Sequence, residues 1–260
     1  MGAVKTDGTV GKALDVLDQV AAFGRPARFS ELLAQSDFPK PTLYRLLQTL
    51  TSQGMLGYDP ERQTYAPGVR LVRLAHAAWS QASLAPIART HIDRLAASVD
   101  EAVHLAQIDN GQVLFIDKRQ TSQKFATLAQ AGQVAPAYCT GVGKVILAYL
   151  APERRARAIQ QQAFLKYTPA THDSAESLDR ELNVIRVEGI AYDREEHDRG
   201  IISIAAPILT SGDRVVGALS IATSTSRYSL KELDKFRPAL LEVASHIGMD
   251  AQSWQFPSQT

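Results

Sequence analysis

The chain has 260 residues, 45% of them hydrophobic, with a formal net charge of +1 and one cysteine. That length predicts about two domains, each with a core of its own; the near-neutral charge excludes a globally polycationic nucleic-acid binder, and one thiol excludes an intramolecular disulfide framework. No apolar run is long enough to span a bilayer and no leader pattern is present, so a cytoplasmic protein without a membrane partner is expected.

In chain order, Ala13, Leu14, Val16, Leu17, Val20 and Ala21 predict an amphipathic helix from Val10 to Phe23, ending at Gly24 in a left-handed cap. The stretch from Phe29 to Leu56 predicts two further helices joined by a tight turn. The first carries Leu32 and Leu33 with Ser30 as N-cap, and the second turns Leu43, Leu46, Leu47 and Leu50 inward. Lys40, Thr42, Tyr44, Arg45 and Gln48 then face outward, and each can bond a phosphate or a base edge from a helix lying in the major groove. A purely structural helical hairpin has the same period. Charge does not choose between them, because residues 1–80 hold nine Lys or Arg against seven Asp or Glu; the placement of the side chains must.

The neighbouring segments favour DNA. Leu56-Gly57-Tyr58 and Gln63-Thr64-Tyr65-Ala66 flank a polar turn and predict a small hairpin, or wing, with Arg62 at its tip. Helix, helix, recognition helix and wing make a winged helix-turn-helix over residues 1–66. A linker helix follows over 67–83, its apolar face including Trp79, with a partner subunit or the chain's own first helix to cover it.

From residue 84 the pattern is mixed. Helices are predicted over 87–99, 143–150, 153–161, 175–187 (capped by Asp173 or Ser174) and 230–249. Strands are predicted over 102–108 and 112–116, around Asp109-Asn110-Gly111, and over 191–193, 202–208 and 215–222. Paired strands broken by helices give an α+β fold whose second domain, 84–252, has a mainly antiparallel sheet; 253–260 is a tail.

Thr140, Gly141, Val142 and Gly143 lead into a helix expected to start near Lys144, an arrangement suited to binding an anion and equally to an ordinary helix-entry turn. Asp193-Arg194-Glu195-Glu196-His197-Asp198 gathers acids beside a histidine, but metal spacings such as HxxxH or HExxH are missing, and a polar loop at a pocket mouth is the favoured reading. Cys139 as a nucleophile with His104 as its base is disfavoured against a small buried hydrophobe. No metal, cofactor or catalytic residue is therefore expected.

Several motifs in order are similar to those of the IclR family of bacterial transcription regulators. They are KALDVLDQVA (12–21), FPKPTLYRLLQTL (38–50), YAPGVRLVRLA (65–75), VHLAQIDNGQVLFIDK (103–118), CTGVGKVILAYL (139–150), GIAYDREEHDRGIISIAAPI (189–208) and VVGALSIA (215–222). The resemblance implies a winged helix-turn-helix joined by a linker helix to a GAF-like effector-binding domain, assembled as a dimer or dimer of dimers. It places effector contacts on Gly141, Val142, Asp193, Ile201, Ser203, Ser220 and Ala222, and pocket walls at Phe125, Thr127, Tyr138 and Cys139. Where the family often has a second serine, this chain has Ala222. The implied function is a non-catalytic regulator, such as a repressor, whose binding to a double-stranded operator responds to a small molecule, a carboxylate or related metabolite. The alternative is a small-molecule enzyme or binding protein with a GAF-like domain.

Overall fold

The computed structural model describes residues 8–120 and 129–252, with 79–82 as backbone alone. The chain divides into two compact units, 1–81 and 82–260.

In the first unit, α1 (Gly8–Ala22) buries Val16, Leu17 and Val20, and Gly24 follows it at φ 64°. Strand β1 (Ala27–Arg28), α2 (Phe29–Ala34) and α3 (Lys40–Ser52) come next; Leu43, Leu46, Leu47 and Leu50 of α3 join Leu32 and the α1 residues in one core. The wing is the antiparallel pair β2 (Leu56–Asp59) and β3 (Thr64–Pro67), and β1 adds to β3 as a third strand. That pairing corrects the expected Ser30 cap. Arg28 is held extended opposite Thr64, so the helix begins at Phe29, and Glu31 reaches back to accept from the Arg28 amide at 2.8 Å.

Helix α4 (Val69–Ala82) is tied at its start to the end of α3. The Gly68 amide donates to Met55 O at 2.8 Å and Arg70 Nη1 to Gln53 O at 2.8 Å. Val69, Val72 and Leu74 are exposed on it. The Trp79 side chain lies outside the described residues.

The second unit runs α5 (Ala85–Val99), β4 (Ala102–Asp109), β5 (Gln112–Arg119), β6 (Val134–Pro136), α6 (Gly141–Tyr149), α7 (Pro152–Gln160), α8 (Ala175–Glu188), β7 (Ala191–Arg194), β8 (Ile201–Leu209), β9 (Val215–Ser224), α9 (Leu230–Leu233) and α10 (Arg237–Asp250). All strand pairs are antiparallel, in the order β6-β5-β4-β9-β8-β7. The β4–β5 turn is made by Asn110 and Gly111, both at positive φ (47° and 75°), the conformation a two-residue hairpin needs and Asn-Gly adopts most readily. Alternation along β8 and β9 gives the sheet two faces. Ala205 and Ala218 pack into the cluster formed with α6, while residues of opposite parity lie under α5 and α10.

Three expectations change here. Helix α6 starts at Gly141 rather than near Lys144, because Thr140 is its N-cap, its Oγ1 accepting from the Gly143 amide at 3.2 Å. The expected 230–249 helix is two helices separated by a 3₁₀ turn at Asp234–Phe236. Pro238, which has no N–H and blocks the turn before it, sits in the first turn of α10 and forces the restart. Strand β6, three residues at the sheet edge, was not anticipated. Of the two candidate caps for α8, Ser174 is the one that bonds, to the Ser177 amide.

Candidate functional site

Two surfaces carry the candidate chemistry. On α3 the inward leucines leave Lys40, Tyr44, Arg45 and Gln48 exposed and Thr42 half-buried; Lys40, Tyr44 and Gln48 follow the four-residue spacing of one helix face. Tyr44 meets Phe29 edge-on at 6.1 Å, which fixes the ring at the helix surface. Arg62 projects from the wing turn, 4.0 Å from Asp59. A groove between α3 and the wing is lined by Phe29, Lys40, Tyr44, Tyr58 and Tyr65. Tyr58 and the exposed Arg28, which shares a notch with Arg62, are additions to the expected set. Alternation along β2 puts Tyr58 on the same face as the inward Leu56, so the residue pattern carried no signal for its exposure.

The second surface is a cavity of about 260 Å³ in the second unit, at the small end of ligand pockets. Thr140, Gly141 and Val142 enter it from the start of α6, Asp193 from β7, Ile201 and Ser203 from β8, and Ser220 and Ala222 from β9. The register explains the convergence. Asp193 pairs with Ser203, Ser203 with Ala222, and Ser220 with His104 of β4, so all stand on the sheet face that α6 covers. The approach at Gly141 is close: a Cβ there would lie 2.8 Å from Ser203 Oγ and would push that hydroxyl aside.

The first four amides of a helix have no partner within it. In α6 the Lys144 amide makes the first i→i−4 bond, to the Thr140 carbonyl at 2.9 Å, and Thr140 Oγ1 takes the Gly143 amide; the amides of Gly141 and Val142 are left at the cavity. No Lys or Arg lines the cavity among the described residues. The positive potential that an anion would meet therefore comes from this helix end.

Two expected wall residues are corrected. Tyr138 and Cys139 are buried in the core beside the cavity rather than in its wall. The Tyr138 ring lies 5.0 Å from Phe164 and its hydroxyl donates to Leu165 O at 2.7 Å, while burial pushes the Cys139 thiol well above its usual range. Phe125 and Thr127 lie outside the described residues. In their place His104, Phe115, Gln133, His197 and Asp198 line the cavity, with His104 edge-on to Phe115 at 5.5 Å. Burial, helped by the nearby Lys118 charge, drives the His104 pKa down to about 3, so it is a neutral imidazole. Asp193 moves the other way: burial first, then the Glu196 charge, raise it to about 7, although its Oδ1 accepts from the Glu196 amide at 2.8 Å.

The expected polar loop over 193–198 begins only at Glu195, because Asp193 and Arg194 are still paired with β8 as the end of β7. Glu195, at φ 64°, accepts from the Gly200 amide at 2.6 Å, and His197 Nδ1 meets Asp198 at 2.9 Å. Glu196 turns away from the cavity onto Lys144, which is fully buried on α6 and also 2.9 Å from Glu181 of α8. Burial opposes the Glu181 charge, but the His172 hydrogen bond and the Lys144 ammonium outweigh it and hold the carboxyl far below its usual range. Sequence reasoning missed Lys144, because a lysine between Gly143 and Val145 reads as surface.

A helix-turn-helix with a cationic outer face and a wing, in one chain with a unit enclosing a ligand-sized cavity, defines a ligand-responsive, DNA-binding transcription regulator. Residues 9–60 match the IclR helix-turn-helix domain and residues 76–249 the bacterial transcriptional regulator IclR C-terminal domain. The chain belongs to the IclR family. The transcriptional regulator XynR of Escherichia coli K12 is 28% identical over 232 residues, 89% of this chain and 92% of that protein. The Thermotoga maritima IclR crystal structure superposes with a TM-score of 0.74 at 25% identity, covering 94% of this chain and 98% of the other. An IclR homolog from Microbacterium hydrocarbonoxydans, solved in complex with 4-hydroxybenzoate, shares the fold with a TM-score of 0.78 at 21% identity, over 95% of this chain and all of the other.

Proposed function

We propose that the cavity of the second unit binds a small carboxylate and that its occupancy sets how tightly α3 and the wing hold an operator. The observation that carries this reading is the meeting, in one 260 Å³ cavity, of the free α6 amides of Gly141 and Val142 with Asp193, Ser203 and Ser220. A carboxylate suits the helix end. Asp193, near half-protonation at neutral pH, can donate to an anion or accept from a ligand hydroxyl. Phe115 and the neutral His104 offer a flat apolar wall to a ring, which fits an acid of the kind in the Microbacterium complex.

On the DNA side, Arg45, Tyr44 and Gln48 are assigned to base edges, and Lys40, Thr42 and Arg62 to phosphates. The attachment of α4 to the end of α3 through Gly68 and Arg70 makes the linker helix the lever on the recognition helix. The exposed Val69 and Val72 of α4, with Val10 and Leu14 of α1, are apolar enough to be covered by a second copy, giving the paired half-sites of a homodimer or a dimer of dimers. The cavity binds without turnover in this reading: His104, beside Ser220, is too weak a base at neutral pH to activate it.

The test is a thermal-shift screen of small aliphatic and aromatic acids. A ligand of the folded state raises the melting temperature by mass action, and Gly141→Val, which fills the cavity, removes the shift. A shift that survives Gly141→Val places the ligand elsewhere.

A further inference from the structure

Behind the cavity, outside the proposed ligand site, His172, Glu181 and Glu196 bring one ligand atom each to within 4.8 Å of one another. Their arrangement is unusually specific. Both carboxylates spend Oε1 on cations: Lys144 reaches Oε1 of Glu181 and of Glu196, and Arg194 Nη1 lies 2.6 Å from Oε1 of Glu181. Both therefore turn Oε2 to the same place, the Nε2 atom of His172, at 2.6 Å from Glu181 and 3.8 Å from Glu196.

The protons on the imidazole can be assigned. Ser177 Oγ is 3.0 Å from the Ser174 carbonyl and 3.2 Å from His172 Nδ1. A carbonyl only accepts, so the single serine proton points to it, and Nδ1–H must be the donor to Ser177. The lone pair or second proton of the ring then lies on Nε2, facing two carboxylate oxygens. One proton there satisfies Glu181 but not Glu196. Glu196 Oε2 is buried with no hydrogen-bond partner, on a side chain only 3% exposed, and a buried oxygen left so is destabilising.

We propose that His172 Nε2, Glu181 Oε2 and Glu196 Oε2 bind one divalent transition-metal ion of the zinc class. Bonds of roughly 2.0–2.2 Å in a tetrahedral site put ligand atoms about 3.4 Å apart. The Glu196 distance is close to that, and the Glu181 contact opens by under about 1 Å. The supporting shell is of the kind that orients metal ligands: Ser177 fixes the ring, and Lys144 and Arg194 fix the carboxylates. His172 and Glu181 are partly exposed, which leaves a path in and a fourth position for water. Glu196 also donates its amide to Asp193 of the cavity, so an ion here braces the 193–198 loop from behind.

The experiment uses the full chain after chelator treatment, titrated with Zn²⁺ by calorimetry and with Co²⁺ by visible absorption. One equivalent per chain is expected for the wild type, with affinity falling roughly tenfold or more in His172→Ala and in Glu181→Gln. Should a variant fail to fold, the wild type decides: Co²⁺ must shift the His172 ring resonances paramagnetically. No stoichiometric uptake, or uptake that leaves those resonances in place, overturns the proposal and leaves His172 as a hydrogen-bond partner of Glu181 and Ser177 alone.

Discussion

Two lysines, each in the first turns of a functional helix, meet opposite fates. Lys40 opens α3 exposed and makes no ion pair among the described residues, whereas Lys144 of α6 is fully buried between Glu181 and Glu196. The difference separates the two units by how they use charge. The first keeps its cations on the outside for a polyanion and builds its core from leucines. The second takes its charges inside, fixes them in pairs behind the cavity, and leaves the cavity with a helix end as its source of positive potential.

The sharpest way to break this comparison is to remove each lysine. Lys144→Met strands two carboxylates and should cost about 3–5 kcal/mol in a denaturant titration, whereas Lys40→Ala should change stability by less than about 0.5 kcal/mol. Equal effects would mean that the two charges are used alike. Next in size, Arg45→Ala should weaken binding to the selected operator by about 1–3 kcal/mol while leaving the melting temperature unchanged, read by fluorescence anisotropy.

A pH series sharpens the claim that His104 stands at the cavity as a buried, neutral imidazole. His104 has its pKa lowered from 6.5 to about 3 on folding. The unfolded chain therefore binds the extra proton first as pH falls, so the stability linked to neutral His104 is present above pH 6.5 and is lost as pH drops from there toward 3. Between pH 7 and 5 that loss is about 2 kcal/mol, and His104→Phe should lack it when the two proteins are compared by denaturation. A smaller effect is expected from Ser220→Ala, a loss of about 1 kcal/mol in ligand affinity with unchanged DNA affinity in ligand-free protein.

Helical and strand periodicity made the elements legible, and the wing, the Asn110-Gly111 turn and the leucine face of α3 follow from local rules. What was not legible depended on residues far apart in the chain. Ser30 is a good cap by type, but pairing of Ala27–Arg28 with β3 decided where α2 begins. Thr140 looked like part of a loop, and only its bond to the Gly143 amide shows α6 starting at Gly141, which changes which amides are free. The cavity face of Asp193, Ser203 and Ser220 was readable once the strands were paired, whereas His104 needed the β4–β9 register. The His172, Glu181 and Glu196 cluster has no sequence spacing to announce it, since it is assembled from a loop, a helix and the segment after β7. Tyr138, which the family resemblance put in the wall, is core, its ring against Phe164 and its hydroxyl on Leu165 O.

The central claim is that occupancy of the cavity sets operator affinity. It is tested most directly by titrating the protein onto a duplex it selects from a random pool, with and without a saturating acid that raises its melting temperature. The account predicts an operator affinity that differs by roughly 5–150-fold between the two, the usual range of coupling between sites. An identical affinity with the cavity filled would contradict it, because a ligand that binds both states equally shifts nothing.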